Sequence, residues 1–175
     1  MGLRVFLGHG AAGSSATMAP FVEGLRRRGI EAYAIDLPKR KAEDAVPALL
    51  KMVPQEPDVV VGGHSYGGRV ASLAATQVPF AALVLFSYPL HRPGHPDMEA
   101  RTAHWPSIEC PVLLLSGESD PFARIDLLRA AVPRLPHGEL VTYPRVGHGV
   151  LPVLDDALDR VAAFLHSVAP EAAER

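Results

Sequence analysis

A chain of 175 residues, 48% of them hydrophobic, can bury one substantial core but is short for a second domain. Its formal net charge of −2 gives no positive field for phosphate backbones or anionic lipid, so neither nucleic acid nor a membrane is an expected partner. The single cysteine, Cys110, excludes an internal disulfide and offers no thiolate cluster for a metal.

The chain runs from Met1-Gly2-Leu3-Arg4 straight into an apolar strand over residues 3–7, with no signal-peptide core and no apolar stretch near the roughly 18 residues of a membrane span. A cytoplasmic protein is therefore expected. A glycine-rich loop, Gly8-His9-Gly10-Ala11-Ala12-Gly13, leads to a predicted helix over 17–28, whose Arg26-Arg27-Arg28 run complements the dipole of its last turn. Strand and helix then alternate: strand 31–35, helix 41–53, strand 58–62, helix 67–77, strand 80–86. An irregular stretch from Tyr88 to Glu109 follows, with Pro89, Pro93, Pro96 and Pro106 leaving room only for a short helix near Met98 to His104. Strand 112–115, helix 122–132, strand 140–143 and helix 152–168 complete the pattern, and residues 170–175 read as a frayed tail.

Most of the strands are near-continuous apolar runs, such as Val59-Val60-Val61 and Val112-Leu113-Leu114-Leu115, as expected of strands covered on both faces. The fold class is therefore α/β: a doubly wound, mostly parallel sheet of six strands with helices on both faces, one domain over 1–175.

The strand ends hold the chemistry. Gly62-Gly63-His64-Ser65-Tyr66-Gly67-Gly68 contains G-x-S-x-G between a strand and a helix, the setting in which small neighbours permit a strained turn that lifts a serine hydroxyl from the sheet edge. A serine hydroxyl needs a base to take its proton. Of the eight histidines, His148 lies in the loop Val146-Gly147-His148-Gly149, after the last strand and at the same sheet edge as Ser65. His91, His95, His104, His137 and His166 read as exposed loop or helix residues, and His64, beside the serine, should point into the fold. An imidazole base is oriented and stabilised by a carboxylate. Asp120, in Ser116-Gly117-Glu118-Ser119-Asp120-Pro121, gives the chain order Ser, Asp, His; Glu118 is the rival acid. Backbone donors for an oxyanion are expected from the amides of Tyr66 and of Ala11, with Ala12 the second choice.

With these residues in view, His9-Gly10, Gly63-His64-Ser65-Tyr66-Gly67, Gly117-Glu118-Ser119-Asp120 and Gly147-His148 resemble the α/β-hydrolase superfamily over nearly the whole chain. Within it, the short dienelactone-hydrolase-like group is most similar, with Ser65 standing where dienelactone hydrolases typically have a cysteine. Ser87-Tyr88-Pro89-Leu90-His91 also resembles a subgroup of short hydrolase-like proteins, some eukaryotic relatives of which are scaffold subunits. The resemblance implies a fold without a cap and without the first two antiparallel strands of larger members.

Together these features predict a Ser65–His148–Asp120 serine hydrolase, of carboxylesterase or thioesterase type, acting on a small acyl substrate without metal or organic cofactor. Two other readings compete. Gly8, Gly10 and Gly13 form a literal G-x-G-x-x-G, with Asp36 ending the next strand as a ribose-binding acid would. A non-catalytic interaction module on the same fold is the second, because fold alone does not fix function. The short 88–109 stretch predicts a shallow, open pocket lined by Tyr88, Leu90, Trp105, Phe122 and Val150, with a preference for acyl groups of about two to six carbons, judged from methylene burial.

Overall fold

Valine- and leucine-rich runs alternate with amphipathic helices along the chain, and each helix carries it back across the sheet so that every strand runs the same way. The computed structural model describes residues 2–169; the expected frayed tail, 170–175, lies outside the described residues. The strands are β1 (Arg4–Gly8), β2 (Glu31–Ile35), β3 (Val59–His64), β4 (Ala82–Phe86), β5 (Val112–Gly117) and β6 (Gly138–Tyr143). They form one sheet of order β2-β1-β3-β4-β5-β6 in which every neighbouring pair is parallel, not merely most of them. Every residue of β4 and β5 is buried, whereas the edge strands β2 and β6 are partly exposed, as covering only the middle of the sheet requires.

The helices divide between the two faces. On one face α1 (Ala19–Arg27) and α6 (Leu154–Val168) close over Val5, Leu7, Val60, Val84, Phe86 and Leu113. On the other, α2 (Ala42–Met52), α3 (Tyr66–Ala74) and α5 (Ile125–Ala131) cover Phe6, Val59, Val61, Leu83, Leu85 and Leu114. Between β4 and β5 the chain forms only the four-residue α4 (Glu99–Thr102) and a 3-10 turn at Trp105–Ser107, so no cap rises there. Among the described residues no helix is long and apolar enough to cross a membrane.

Several helices start later than their apolar pattern predicts, two of them where side chains capture backbone groups ahead of the helix. α1 is preceded by a 3-10 turn, Ser15–Met18, anchored where Ser15 donates its amide and hydroxyl to the Asp36 carboxylate at 2.7 and 3.0 Å. α5 begins at Ile125 instead of 122, because the Phe122 amide donates to Asp120 Oδ1 (2.8 Å) and the Arg124 amide to His91 Nε2 (3.0 Å). Side-chain acceptors there take backbone donors that a longer helix would orient otherwise.

The strand order reverses direction between β1 and β3, which lie side by side with Gly8 opposite Gly63. The loops leaving the carboxyl ends of these two strands diverge to opposite faces of the sheet. A doubly wound sheet opens its ligand crevice at such a point.

Candidate active site

Ser65 sits between β3 and α3 with φ 50° and ψ −112°, a left-handed conformation that costs a non-glycine residue on the order of 1–3 kcal/mol. The turn is held from both sides: the Ser65 amide donates to the Phe86 carbonyl of β4 (2.9 Å), and its carbonyl accepts from the Arg69 amide (3.1 Å). The flanking glycines are required by close approach. A Cβ on Gly63 or on Gly67 would lie 2.3 Å from the Gly8 carbonyl oxygen, so any larger residue would push the elbow off β1.

Three strand-end loops converge on that serine. His148 Nε2 lies 2.9 Å from Ser65 Oγ, and His148 Nδ1 lies 2.8 Å from Asp120 Oδ2 and 3.0 Å from Oδ1. Asp120 is 3% exposed, so its carboxylate depends on the imidazole and the Phe122 amide for its hydrogen bonds. A carboxylate can only accept, which places the proton of the neutral ring on Nδ1 and leaves Nε2 free to accept from the serine hydroxyl. Glu118 faces elsewhere, accepting from Arg129 Nη2 at 2.9 Å. Geometry thus separates two carboxylates that lie two positions apart in the sequence.

Two further histidines, both 2% exposed, use the same tautomer to fix the surrounding loops. His9 Nδ1 donates to the Gly10 carbonyl (2.7 Å) while its Nε2 accepts from the Leu37 amide (2.9 Å), tying the loop after β1 to the loop after β2. His91 Nδ1 donates to the Arg92 carbonyl (2.8 Å) while its Nε2 accepts from the Arg124 amide (3.0 Å). Its own amide also donates to the Phe122 carbonyl (3.0 Å), so His91 clasps the segment that follows Asp120. His91 was expected from the sequence to be exposed; instead it is buried, because its ring satisfies one backbone donor and one backbone acceptor at once. Nothing in the local pattern announces such long-range pairing.

Beside the serine opens a cavity of about 550 Å³, within the ~300–1,000 Å³ typical of small-molecule sites. Its walls include Met18, Phe21, Val150, Leu151 and Pro152, and Gly10, Ala12, His64 and His148 also line it. Ala12 lines it directly, and Ala11 precedes it in a turn closed by the Gly13 amide on the Gly10 carbonyl (3.0 Å). Of the five residues expected to line the pocket, only Val150 does. Phe122 lies behind the site, its ring 4.3 Å from the His148 ring. Tyr88, Leu90 and Trp105 are buried in the core on the α2–α3 face. The cause is Ser87, at φ 51°: it turns the chain toward that face, where Tyr88 stacks edge-on to Trp105 at 5.1 Å and donates its hydroxyl to the Arg101 carbonyl.

His64 also departs from expectation. It faces the cavity, its ring 5.5 Å from that of His148, instead of pointing into the fold. Burial, reinforced by His148, pushes its pKa down to about 4, so it stays neutral near pH 7. Asp36, the candidate ribose-binding acid, has both oxygens engaged by Ser15, and Gly67 packs against the loop that a dinucleotide would need open.

Residues 3–149 match the model of the alpha/beta hydrolase domain. The chain belongs to the α/β-hydrolase family. Solved structures of the same fold include the monoacylglycerol lipase of Paleococcus ferrophilus, at 17% identity and TM-score 0.82 over 97% of each chain. Est1E from Butyrivibrio proteoclasticus, solved with ferulic acid bound, is 19% identical with TM-score 0.76, over 95% of this α/β-hydrolase and 89% of Est1E. Esterase 2 of Thermogutta terrifontis, phosphorylated by paraoxon, is 19% identical with TM-score 0.74, over 97% of this chain and 85% of its own. Comparison with curated protein sequences finds no significant match.

Proposed function

We propose that this α/β-hydrolase is a serine hydrolase cleaving a small ester or thioester through an acyl-enzyme. The observation that carries the reading is the continuous hydrogen-bonded line from Asp120 through His148 to Ser65, ending on a strained serine at the edge of an apolar cavity. Ser65 Oγ attacks the substrate carbonyl carbon as His148 Nε2 takes its proton, and Asp120 stabilises the imidazolium. The tetrahedral oxyanion is held by the amides of Tyr66 and Ala11. His148 then returns the proton to the leaving alcohol or thiol as the carbon–heteroatom bond breaks. Water, deprotonated by the same imidazole, repeats the sequence on the acyl-enzyme and releases the acid.

Among the residues lining the cavity no carboxylate, lysine or arginine is present, which suits a neutral acyl group. At roughly 30 Å³ per water-sized group, about 550 Å³ has room for well over six carbons, so the acyl portion extends beyond the short chains expected from the 88–109 stretch. The capless β4–β5 connection fits the short dienelactone-hydrolase-like group, with serine as nucleophile. That one neighbour of the same fold is described as an esterase phosphorylated by paraoxon is consistent with ester chemistry.

A fluorophosphonate probe tests the assignment: the wild type should be labelled and Ser65→Ala should not. Labelling of neither would return the chain to the interaction-module reading, and equal labelling of the two would remove Ser65 from the nucleophile's role.

A further inference from the structure

On the α2–α3 side of the elbow, a second cavity of about 410 Å³ is lined by Arg69, Arg92, His95, Asp97, Ala100 and Arg101. It shares no lining residue with the apolar cavity. Its walls come from three elements. Arg69 stands one helical turn beyond Ser65 on α3, Arg101 lies on α4, and Arg92 and His95 are the ends of a tight turn. That turn, Arg92-Pro93-Gly94-His95, is closed by the His95 amide on the Arg92 carbonyl (3.0 Å), with Gly94 at φ 75° after a proline that fits its first central position. It sets the Arg92 and His95 backbones opposite each other at the mouth.

The charges around this cavity are out of balance. Among the described residues, Arg101 finds only a neutral partner, donating to the Pro89 carbonyl at 3.0 Å, and Arg92 has no carboxylate within salt-bridge distance. Arg69 gives one Nη2 to Glu43 (2.6 Å), but its Nε is buried without an acceptor. Of the nearby acids, Glu99 is taken by Arg134 (2.6 Å), and Asp97, whose Oδ1 accepts the Glu99 amide (3.1 Å), is the one carboxylate lining the recess against three guanidinium groups. Like-charge crowding is felt within the cluster: burial first and then Arg69 hold the Arg101 guanidinium below its ordinary value, Tyr88 opposes them, and Arg92 adds a smaller lowering that exceeds the upward effect of Glu43. Guanidinium groups brought together in a part-buried recess, with donors unspent, present the planar forks that pair with oxyanions.

We propose that this recess is a binding site for a small oxyanion, a phosphate or carboxylate group held between Arg69, Arg92 and Arg101. The anion accepts from the free edges of Arg92 and Arg101, with the Arg69 charge behind them and His95 closing the mouth. The site is distinct from the apolar cavity, and its occupation does not depend on Ser65.

Titration calorimetry with inorganic phosphate and, separately, with succinate distinguishes the two sources of the anion, with chloride holding ionic strength constant. At least one should bind saturably to a single site, and the one that does names the class. Arg92→Glu, at an exposed turn position that the fold does not rely on, should weaken that binding at least about tenfold, the scale of losing a charge-assisted pair. Arg101→Gln should weaken it as well. Both variants should be labelled by a fluorophosphonate as the wild type is, so failure of the anion site and failure of the serine-hydrolase reading are separate results. No saturable heat from either anion beyond that of chloride, or equal affinity in wild type and Arg92→Glu, would overturn the proposal.

Discussion

The two faces of the sheet have been put to different uses. On the α1–α6 face, Met18, Phe21 and Leu151 stand around an open apolar cavity beside the serine; on the α2–α3 face, Tyr88, Leu90 and Trp105 are buried in the core. Both faces are apolar and both flank the same elbow. What separates them is one backbone choice, the left-handed Ser87, which sends the β4–β5 connection down onto the α2–α3 side and leaves the other side unroofed. A hydrolase fold can thus dispense with a cap by folding the connection away from the cavity beside the serine.

The largest effect expected from this division lies on the line between the faces. Ser65→Ala and His148→Ala should each lower kcat for an activated ester by about 10⁴-fold or more, with thermal unfolding nearly unchanged. Asp120→Asn should fall in the same range because its carbonyl oxygen would stay with the Phe122 amide and its NH2 would face His148 Nδ1, favouring the wrong tautomer and leaving the imidazolium without a carboxylate. Glu118→Gln should change kcat by less than about threefold, since its partner is the exposed Arg129. If Glu118→Gln proved the more damaging, the acid would have to be reassigned.

Across the faces, stability and specificity should respond in opposite ways. Trp105→Ala empties a fully buried site and should cost about 3–5 kcal/mol in denaturant unfolding while leaving acyl preference unaltered. Met18→Ala and Leu151→Ala should instead shift acyl preference, and Leu151→Ala should cost little stability because that side chain is 59% exposed. A Trp105 variant with altered chain-length preference would break the comparison. Across p-nitrophenyl esters, kcat/KM should climb past six carbons, each buried methylene contributing up to about 0.8 kcal/mol. A peak at or below six carbons would mean that the apolar cavity is not the acyl site.

How much of this was legible in the sequence follows from the range of the interactions concerned. The elbow, the Asp120 loop and the His148 loop could be read because each is a local pattern at the end of an apolar strand, and the topology brings strand ends together whatever else varies. The six strands were legible for the same reason. The pocket walls were not: whether Tyr88 faces substrate or core depends on the φ of Ser87, and serine is not a residue whose presence signals a positive φ. His9 and His91 were missed as loop clasps because their partners, Leu37 and Arg124, lie 28 and 33 positions away. Their role can be measured. His91→Ala should leave the Arg124 amide without its acceptor and cost about 1–3 kcal/mol, with a smaller loss of kcat than any triad change.

The smallest effect, and the most diagnostic of how the two faces bury titratable groups, concerns acid stability. His64 borders the open cavity and His104 packs on the other face, its Nε2 2.8 Å from Ser72 Oγ. Burial is the leading cause that pushes each to a pKa of about 4, from an ordinary 6.5, with His148 adding to the effect at His64 and Arg69 at His104. Because the folded pKa is depressed, the unfolded chain binds more protons between pH 6.5 and 4, so unfolding becomes easier as pH falls through that window and is indifferent to these groups above it. The carboxylates whose pKa is lowered in the fold, Asp36 through its bonds to Ser15 and Asp58 through Arg4, weaken the protein only at lower pH, as they protonate. Between pH 6.5 and 5 the histidines should therefore dominate the slope. His104→Gln keeps an amide partner for Ser72 but cannot titrate, and should flatten the fall in Tm over that interval by up to one proton's share. His64→Gln should do the same from the other face. A Tm that is constant from pH 6.5 to 5, or a slope unchanged in both variants, would show that these rings are better solvated than their packing indicates.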